Sequence, residues 1–372
     1  MGHVLGRLSP PPPQAVAQAL NVDHLTIEWL AGDGSDRCYF RVRSPELKTS
    51  FVLMQLSGSD AEQLKQGRYD WVEISKLLKL NGVFAPSCVS ILSDHAAIII
   101  DDYGDLMLET ITLQAAKNGN INSVLPYYET SLRAVTQFLG IKPGQNDVWT
   151  QRAFDKERFI WELNFFVSKY LGPVAHYEMK PLEKAEFSND VESLSSFLAD
   201  FAHYFVHRDF HSRNIMIHND AVAVIDFQDA RLGPPSYDLV SLVFDSYVPL
   251  SPETRMKLLD DGLRAIQMKV GEKASKRAAD EWRPMLLQRQ LKAIGSFGYL
   301  TVDKQKGDYI RNVAPALQTL LDAGVQDARW PFLSGTLLQI LAKTLPDRKA
   351  SKPSGFSLAQ SPIGGQVQSK KV

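Results

Sequence analysis

The chain is 372 residues long, with 41 Lys and Arg against 42 Asp and Glu and a formal net charge of −1. That length exceeds one typical domain, so two lobes or domains are expected, and the balanced charge speaks against nucleic-acid or membrane partners. Hydrophobic residues make up 44% of the chain, enough for a buried core, and two cysteines, Cys38 and Cys88, cannot build a disulfide framework, which favours a reducing, cytoplasmic setting.

Residues 1–24 read as an N-terminal extension. Prolines 10–13 form a stiff, extended lead-in, and residues 14–20 read as a short helix. Two strand-like runs then flank a polar turn that holds Gly32, Gly34 and Ser35, and the second run, 38–42, follows Arg37. A glycine-bearing hairpin brings backbone N–H groups close to a phosphate, although an ordinary hairpin has the same pattern. Residues 51–56, Phe-Val-Leu-Met-Gln-Leu, form an apolar strand. Residues 59–81 read as one helix, with Leu64, Trp71, Ile74, Leu77 and Leu78 on a stripe and Gly82 after its end. Strands at 87–92 and 96–100 flank a turn at Asp94 and His95. Asp101 to Asp105, which includes Tyr103, then reads either as the link between lobes or as an acidic loop.

From Leu106 the pattern is helical. Apolar residues recur at helical spacing in 127–139 and 155–171. Asp155, Arg158 and Glu162 fall on the second of these. Carboxylates and arginines suit sugar hydroxyls, yet Asp155 is equally a helix cap. A helix at 190–203 leads into the densest polar stretch of the chain. There His207, Arg208 and Asp209 are followed by Asn214, five positions after Asp209, and by Asp226, twelve positions further on. Two short apolar strands enclose a turn at 218–220. Asp229 and Asp238 lie beyond. Helices follow at 252–269, 285–300, 309–323 and 330–343. Residues 348–372 are rich in Lys, Ser, Pro and Gly and read as a disordered tail.

Phosphoryl transfer needs a carboxylate to orient and deprotonate a hydroxyl, and oxygen ligands to hold Mg²⁺ against phosphates. Asp209 fits the first need, and Asn214 and Asp226 the second. The spacing is that of the kinase catalytic loop, H-R-D-x-x-x-x-N followed by a metal-binding Asp. There are departures from the protein-kinase form. Phe-Gln rather than Phe-Gly follows Asp226, no Lys stands two residues after Asp209, and the strand at 51–56 has Met54 and Gln55 where a phosphate-binding Lys is usual.

Asp-Phe-His-Ser-Arg-Asn-Ile-Met, Ile-Asp-Phe-Gln-Asp-Ala and Gly-Pro-Pro-Ser-Tyr-Asp-Leu-Val resemble the aminoglycoside phosphotransferase and choline kinase superfamily. Within it they are most similar to the bacterial anomeric sugar kinases of cell-wall recycling. The turn Gly-Asp-Gly-Ser-Asp-Arg-x-Tyr-Phe-Arg resembles the nucleotide loop of those kinases, and Met-Leu-Leu-Gln-Arg-Gln-Leu-Lys-Ala-Ile-Gly resembles their late helix, so the resemblance runs from about residue 25 to 340. It implies an α+β, two-lobed protein-kinase-like fold. Residues 25–102 would form a small, mainly β nucleotide-binding lobe, and 103–347 a larger helical lobe for catalysis and substrate.

The resemblance also implies ATP and Mg²⁺ as cofactors and an amino sugar, N-acetylmuramate or N-acetylglucosamine, as the acceptor. Gly32, Gly34, Ser35, Arg37, Asp101 and Tyr103 would meet the nucleotide. Asp155, Arg158, Glu162 and Asp229 would meet the substrate, and His207 and Asp238 would support the catalytic loop. The chain is expected to work as a monomer. Two alternatives stay open: a kinase of the aminoglycoside or choline type, and a nucleotide-binding pseudokinase that acts through a protein partner, for which the absent strand lysine speaks.

Overall fold

The computed structural model describes residues 8–31, 37–144 and 147–345. Its first part is a five-stranded antiparallel sheet. α1 (Pro13–Leu20) opens with a proline, whose missing N–H costs nothing in a first helical turn. β1 (Thr26–Ala31), β2 (Arg37–Arg43) and β3 (Phe51–Leu56) follow, then α2 (Gly58–Lys65), α3 (Asp70–Leu80), β4 (Cys88–Leu92) and β5 (Ala97–Asp101). The strand order is β1-β2-β3-β5-β4.

Strand alternation gives the sheet two apolar faces. Cys38, Phe40, Val42, Leu53, Ala97 and Ile99 pack with Val16 of α1 in a small core of their own. Val52, Met54, Leu56, Ile98 and Ile100 point the other way and join Trp71, Ile74 and Leu78 in the main core. The position expected for a strand lysine is thus filled by the buried Met54 and Gln55.

The single helix expected at 59–81 is two helices. Gly67 takes φ +75, a left-handed conformation open to glycine, and ends α2 before α3 begins. The break leaves Asp60 on a short helix of its own, beside the start of β2. Glu73, on α3, is exposed and pairs with Lys76 at 3.4 Å.

The second part is helical. It contains α4 (Leu108–Lys117), α5 (Leu125–Gly140), α6 (Lys156–Phe166) and α7 (Pro181–Ala199), then four short strands, β6 (Tyr204–Val206), β7 (Ile215–His218), β8 (Ala221–Val224) and β9 (Arg231–Gly233). α8 (Tyr237–Val243), α9 (Pro252–Lys269), α10 (Glu272–Val302), α11 (Val313–Asp322) and α12 (Leu337–Lys343) complete it. The periodicity at 285–300 is only the apolar half of α10, whose first half is polar and carries Pro284. Likewise α7 starts at Pro181, ahead of the expected 190, because its first turns are charged. The result is an α+β fold with a small sheet lobe and a larger helical lobe.

α10 runs close against α6 and the turn after it. A Cβ on Gly295 would lie 2.7 Å from the Phe166 Cα, and one on Gly298 would lie 2.2 Å from the Lys169 carbonyl oxygen. Both obstacles are backbone, so they cannot swing aside. Gly298→Ala is therefore expected to destabilise the protein by about 1–3 kcal/mol, the usual cost of overpacking. Urea denaturation measures this, and an unchanged midpoint would contradict so close an approach.

Candidate active site

The polar stretch found in the sequence folds into one compact unit. β6 delivers the chain to a loop at 207–214, β7 and β8 form a hairpin, and the chain returns through 225–230 to β9, which pairs with β6. Asn219 and Asp220 both have positive φ, +49 and +61, as a two-residue hairpin turn that follows the strand twist requires. Asp226 comes directly after the hairpin and is itself left-handed, at φ +64.

The unit brings Asp209, Asn214 and Asp226 together. Asn214 Nδ2 donates to the Asp209 carbonyl at 2.9 Å and to Asp226 Oδ2 at 3.3 Å. Gln228 Nε2 donates to Asp226 Oδ1 at 2.6 Å, a contact that the spacing argument did not foresee. Among the described residues no cluster of three His, Cys, Asp or Glu is arranged to hold a metal alone. The donor set of one carboxylate and one amide oxygen suits a hard cation such as Mg²⁺, which takes its remaining ligands from phosphates and water.

The loop itself is held from below. Asp238, at the start of α8, accepts the His207 amide at 2.6 Å and the Arg208 amide at 3.1 Å. Arg208 needs such support, because it sits at φ +85. The His207 ring is fully buried, with Nε2 2.9 Å from the Ile225 carbonyl, and burial pushes its imidazole down towards the neutral form. Burial pushes the Asp238 carboxyl up, against His207 and the two amides. Asp245 does a similar task further along, accepting the Ser212 amide at 2.9 Å and the Ser212 hydroxyl. Arg213 ties the loop to α4 through Glu109 at 2.8 Å and lies over the Tyr247 ring.

Cations surround the carboxylate of Asp209. Lys292 Nζ stands 3.5 Å from Oδ1 and Arg208 Nε 3.6 Å from Oδ2. Burial opposes the charge of Asp209, but Lys292 and Arg208 outweigh it and hold the carboxyl well below the usual carboxylate range. Asp229 meets Arg208 at 2.8 Å and lies near Arg231 and Arg152, at 3.9 and 4.0 Å. Burial and the neighbouring Arg208 and Arg158 push the Arg231 guanidinium down to about 10. Lys292 and Arg289 of α10 line a cavity with Asp209, His211, Tyr247 and Phe297.

The acidic helix contributes less directly. Asp155 caps α6, accepting the Arg158 amide at 2.7 Å. Glu162 is fully buried between Arg158 at 3.3 Å and Gln288 Nε2 at 2.7 Å, so it offers a ligand no surface and instead fixes those two side chains. Arg158 is half-buried over the Trp161 ring.

On the small lobe, Gly32, Gly34 and Ser35 lie outside the described residues. Arg37 begins β2 and pairs with Asp60 of α2 at 2.6 Å. For Tyr39, two residues on, burial pushes the phenol up, Arg37 opposes this, and the charge of Asp226 adds to it. Arg41 is spent elsewhere, gripping Asp102 at 2.6 and 3.0 Å and Asp105 at 2.9 Å where the lobes join. At that junction Asp101 Oδ2 accepts the Ser87 amide at 2.9 Å, and the Tyr103 hydroxyl donates to the Ala85 carbonyl at 3.3 Å.

The model of the phosphotransferase enzyme family matches residues 155–277, which include the loop at 207–214 and the hairpin after it. The N-acetylmuramate/N-acetylglucosamine kinase of Neisseria meningitidis is 28% identical over 294 residues, 76% of this chain and 81% of that one. The protein of the same name from Pseudomonas aeruginosa is 27% identical over 324 residues, 84% of this chain and 87% of its own. Among solved structures, a Plasmodium vivax ethanolamine kinase superposes with a TM-score of 0.52 at 12% identity, covering 80% of this chain and 82% of its own, a likeness of fold. The chain is a phosphotransferase, similar to the phosphotransferase enzyme family over residues 155–277, and it shares its fold with an ethanolamine kinase.

Proposed function

We propose that the protein transfers the γ-phosphoryl group of ATP to the anomeric hydroxyl of N-acetylmuramate, N-acetylglucosamine or both, in the cytoplasmic recycling of cell-wall sugars. The names of the relatives support the acceptor class. The observation that carries the reading at the site is the charge around Asp209. Three acids there already have a cation: Asp209 has Lys292 and Arg208, Asp229 has Arg208, and Glu162 has Arg158. A polycationic aminoglycoside or a choline would meet arginines rather than free carboxylates, whereas a neutral or carboxylate-bearing sugar is compatible with them.

In this reading Asp209 orients the acceptor hydroxyl and takes its proton. Its low pKa is no obstacle, since the transition state is loose and positioning dominates. Asn214 and Asp226 would hold Mg²⁺ through their oxygens. When bound, the ion neutralises charge on the phosphates. Arg37, steadied by Asp60, stands in for the absent strand lysine on the nucleotide side, while Asp101 and Tyr103 border the base. Asp238 and His207 keep the loop in place, and Arg158 and Asp229 shape the acceptor side.

An ADP-release assay with N-acetylmuramate, N-acetylglucosamine, glucose, choline and kanamycin tests the acceptor. Turnover is expected with the amino sugars. Turnover with choline or kanamycin alone would overturn the reading, and tight nucleotide binding without turnover on any acceptor would replace it with the pseudokinase alternative.

A further inference from the structure

A phosphoryl group in flight carries negative charge on three oxygens, and the acceptor side of the site needs a fixed cation to meet it. The cation of the loop itself, Arg208, is already paired with Asp229 at 2.8 Å. The residue two positions after Asp209 is His211 rather than a lysine, and its Nδ1 has no hydrogen-bond partner among the described residues. The cation arrives instead from α10, more than eighty residues later in the chain. Lys292 lies 3.5 Å from Asp209, largely buried, on the wall of the cavity beside it.

Its placement is firmly built. Arg289, three residues earlier and so on the same face of α10, donates to the Arg208 carbonyl at 3.2 Å and lies 4.3 Å over the Tyr237 ring. Gln288 reaches Glu162 at 2.7 Å, and Gln290 donates to the Phe244 carbonyl at 2.6 Å. Gly295 and Gly298 let the next turns sit directly on the α6 segment. The helix is thus pinned to the loop by Arg289 just before Lys292 and to the α6 segment just after it. At 3.5 Å the ammonium is an ion partner rather than a tight hydrogen-bond donor, and so remains free to re-aim.

Building on the phosphotransfer reading above, we propose that Lys292 is a catalytic residue that contacts the transferring phosphoryl group. The acceptor O–H bond breaks and its proton passes to Asp209. The acceptor oxygen bonds to phosphorus, and the bond from phosphorus to the β,γ-bridging oxygen breaks, ADP leaving with the electron pair. Neutralising Asp209 removes the partner of Lys292 at the moment when charge is spread over the phosphoryl oxygens. Lys292 keeps its proton throughout and turns to those oxygens.

The test compares the wild type with Lys292→Met and Lys292→Arg. Steady-state rates, melting temperature and calorimetric binding of Mg-ADP, alone and with aluminium fluoride plus sugar as a transition-state mimic, are measured. Lys292→Met is expected to lower kcat by about 10²–10³-fold, the scale of losing one preorganised charge contact. Both KM values and ADP affinity should stay within a few-fold, the extra affinity for the aluminium fluoride complex should vanish, and Lys292→Arg should recover part of both losses. A Lys292→Met enzyme within threefold of wild type, or one that binds the mimic as tightly, would overturn the proposal. So would a loss of rate matched by equal losses of ADP binding and melting temperature. A wild type that transfers phosphate to no sugar would instead overturn the phosphotransfer reading, and this proposal with it.

Discussion

Asp209→Asn is expected to lower turnover by about 10²–10⁴-fold, the range for removing a positioned general base. Asparagine keeps the shape of the side chain, so the backbone carbonyl that receives Asn214 Nδ2 at 2.9 Å stays in place, and with it the geometry of Asn214 and Asp226. The variant cannot take a proton, and it leaves Lys292 and Arg208 facing each other without the carboxylate between them. Nucleotide affinity should therefore persist, because Arg37 and Asp60, proposed here for the nucleotide side, lie on the small lobe. Retention of more than a tenth of wild-type kcat would remove Asp209 from the mechanism.

Asp238→Ala is expected to have the largest combined effect on stability and activity. Asp238 is buried and receives two amides of the catalytic loop at 2.6 and 3.1 Å. Truncation leaves both donors without their acceptor in a dry site, at roughly 1–3 kcal/mol each, less what is regained by no longer burying a carboxylate. It also releases Arg208 from the left-handed conformation that orients the next residue, Asp209. The melting temperature should fall by several degrees, and kcat should fall by at least tenfold even at temperatures where the variant is fully folded. Asp238→Asn, which retains one acceptor oxygen, should lie between the two. A variant with normal kcat below its melting temperature would show that the loop holds its shape without Asp238.

Much of the candidate site was legible because it is local. Asp209, Asn214 and Asp226 lie within eighteen consecutive positions, and a tight hairpin folds that stretch back on itself. Spacing along the chain therefore became proximity in space. Asp238 and Asp229 follow closely enough to share this advantage. The groups that were missed reach the site from afar: Lys292 and Arg289 from α10, Asp60 from α2, and Asp245 from beyond α8. No local pattern separates these charged residues from solvated ones on the same helices. Glu162 shows the reverse error, since an acid on an amphipathic helix looked available to substrate and proved fully buried under Arg158 and Gln288.

The fold divided along similar lines. Helices with a clean apolar stripe emerged at nearly their true limits, as 252–269 did. The first half of α10 and the first turns of α7 are polar and highly charged, so periodicity did not detect them. At 59–81 an unbroken apolar stripe hid a left-handed glycine, because the stripe records which side faces the core and not whether the backbone continues.

The acceptor proposed for the protein is the anomeric oxygen of an amino sugar. Phosphorus NMR of the reaction of wild-type protein with Mg-ATP and N-acetylmuramate or N-acetylglucosamine addresses it directly. A sugar 1-phosphate resonance coupled to the anomeric proton is expected with wild type and lost with Asp209→Asn. A product phosphorylated at another hydroxyl, or phosphate transferred only to an amine-bearing acceptor, would contradict it.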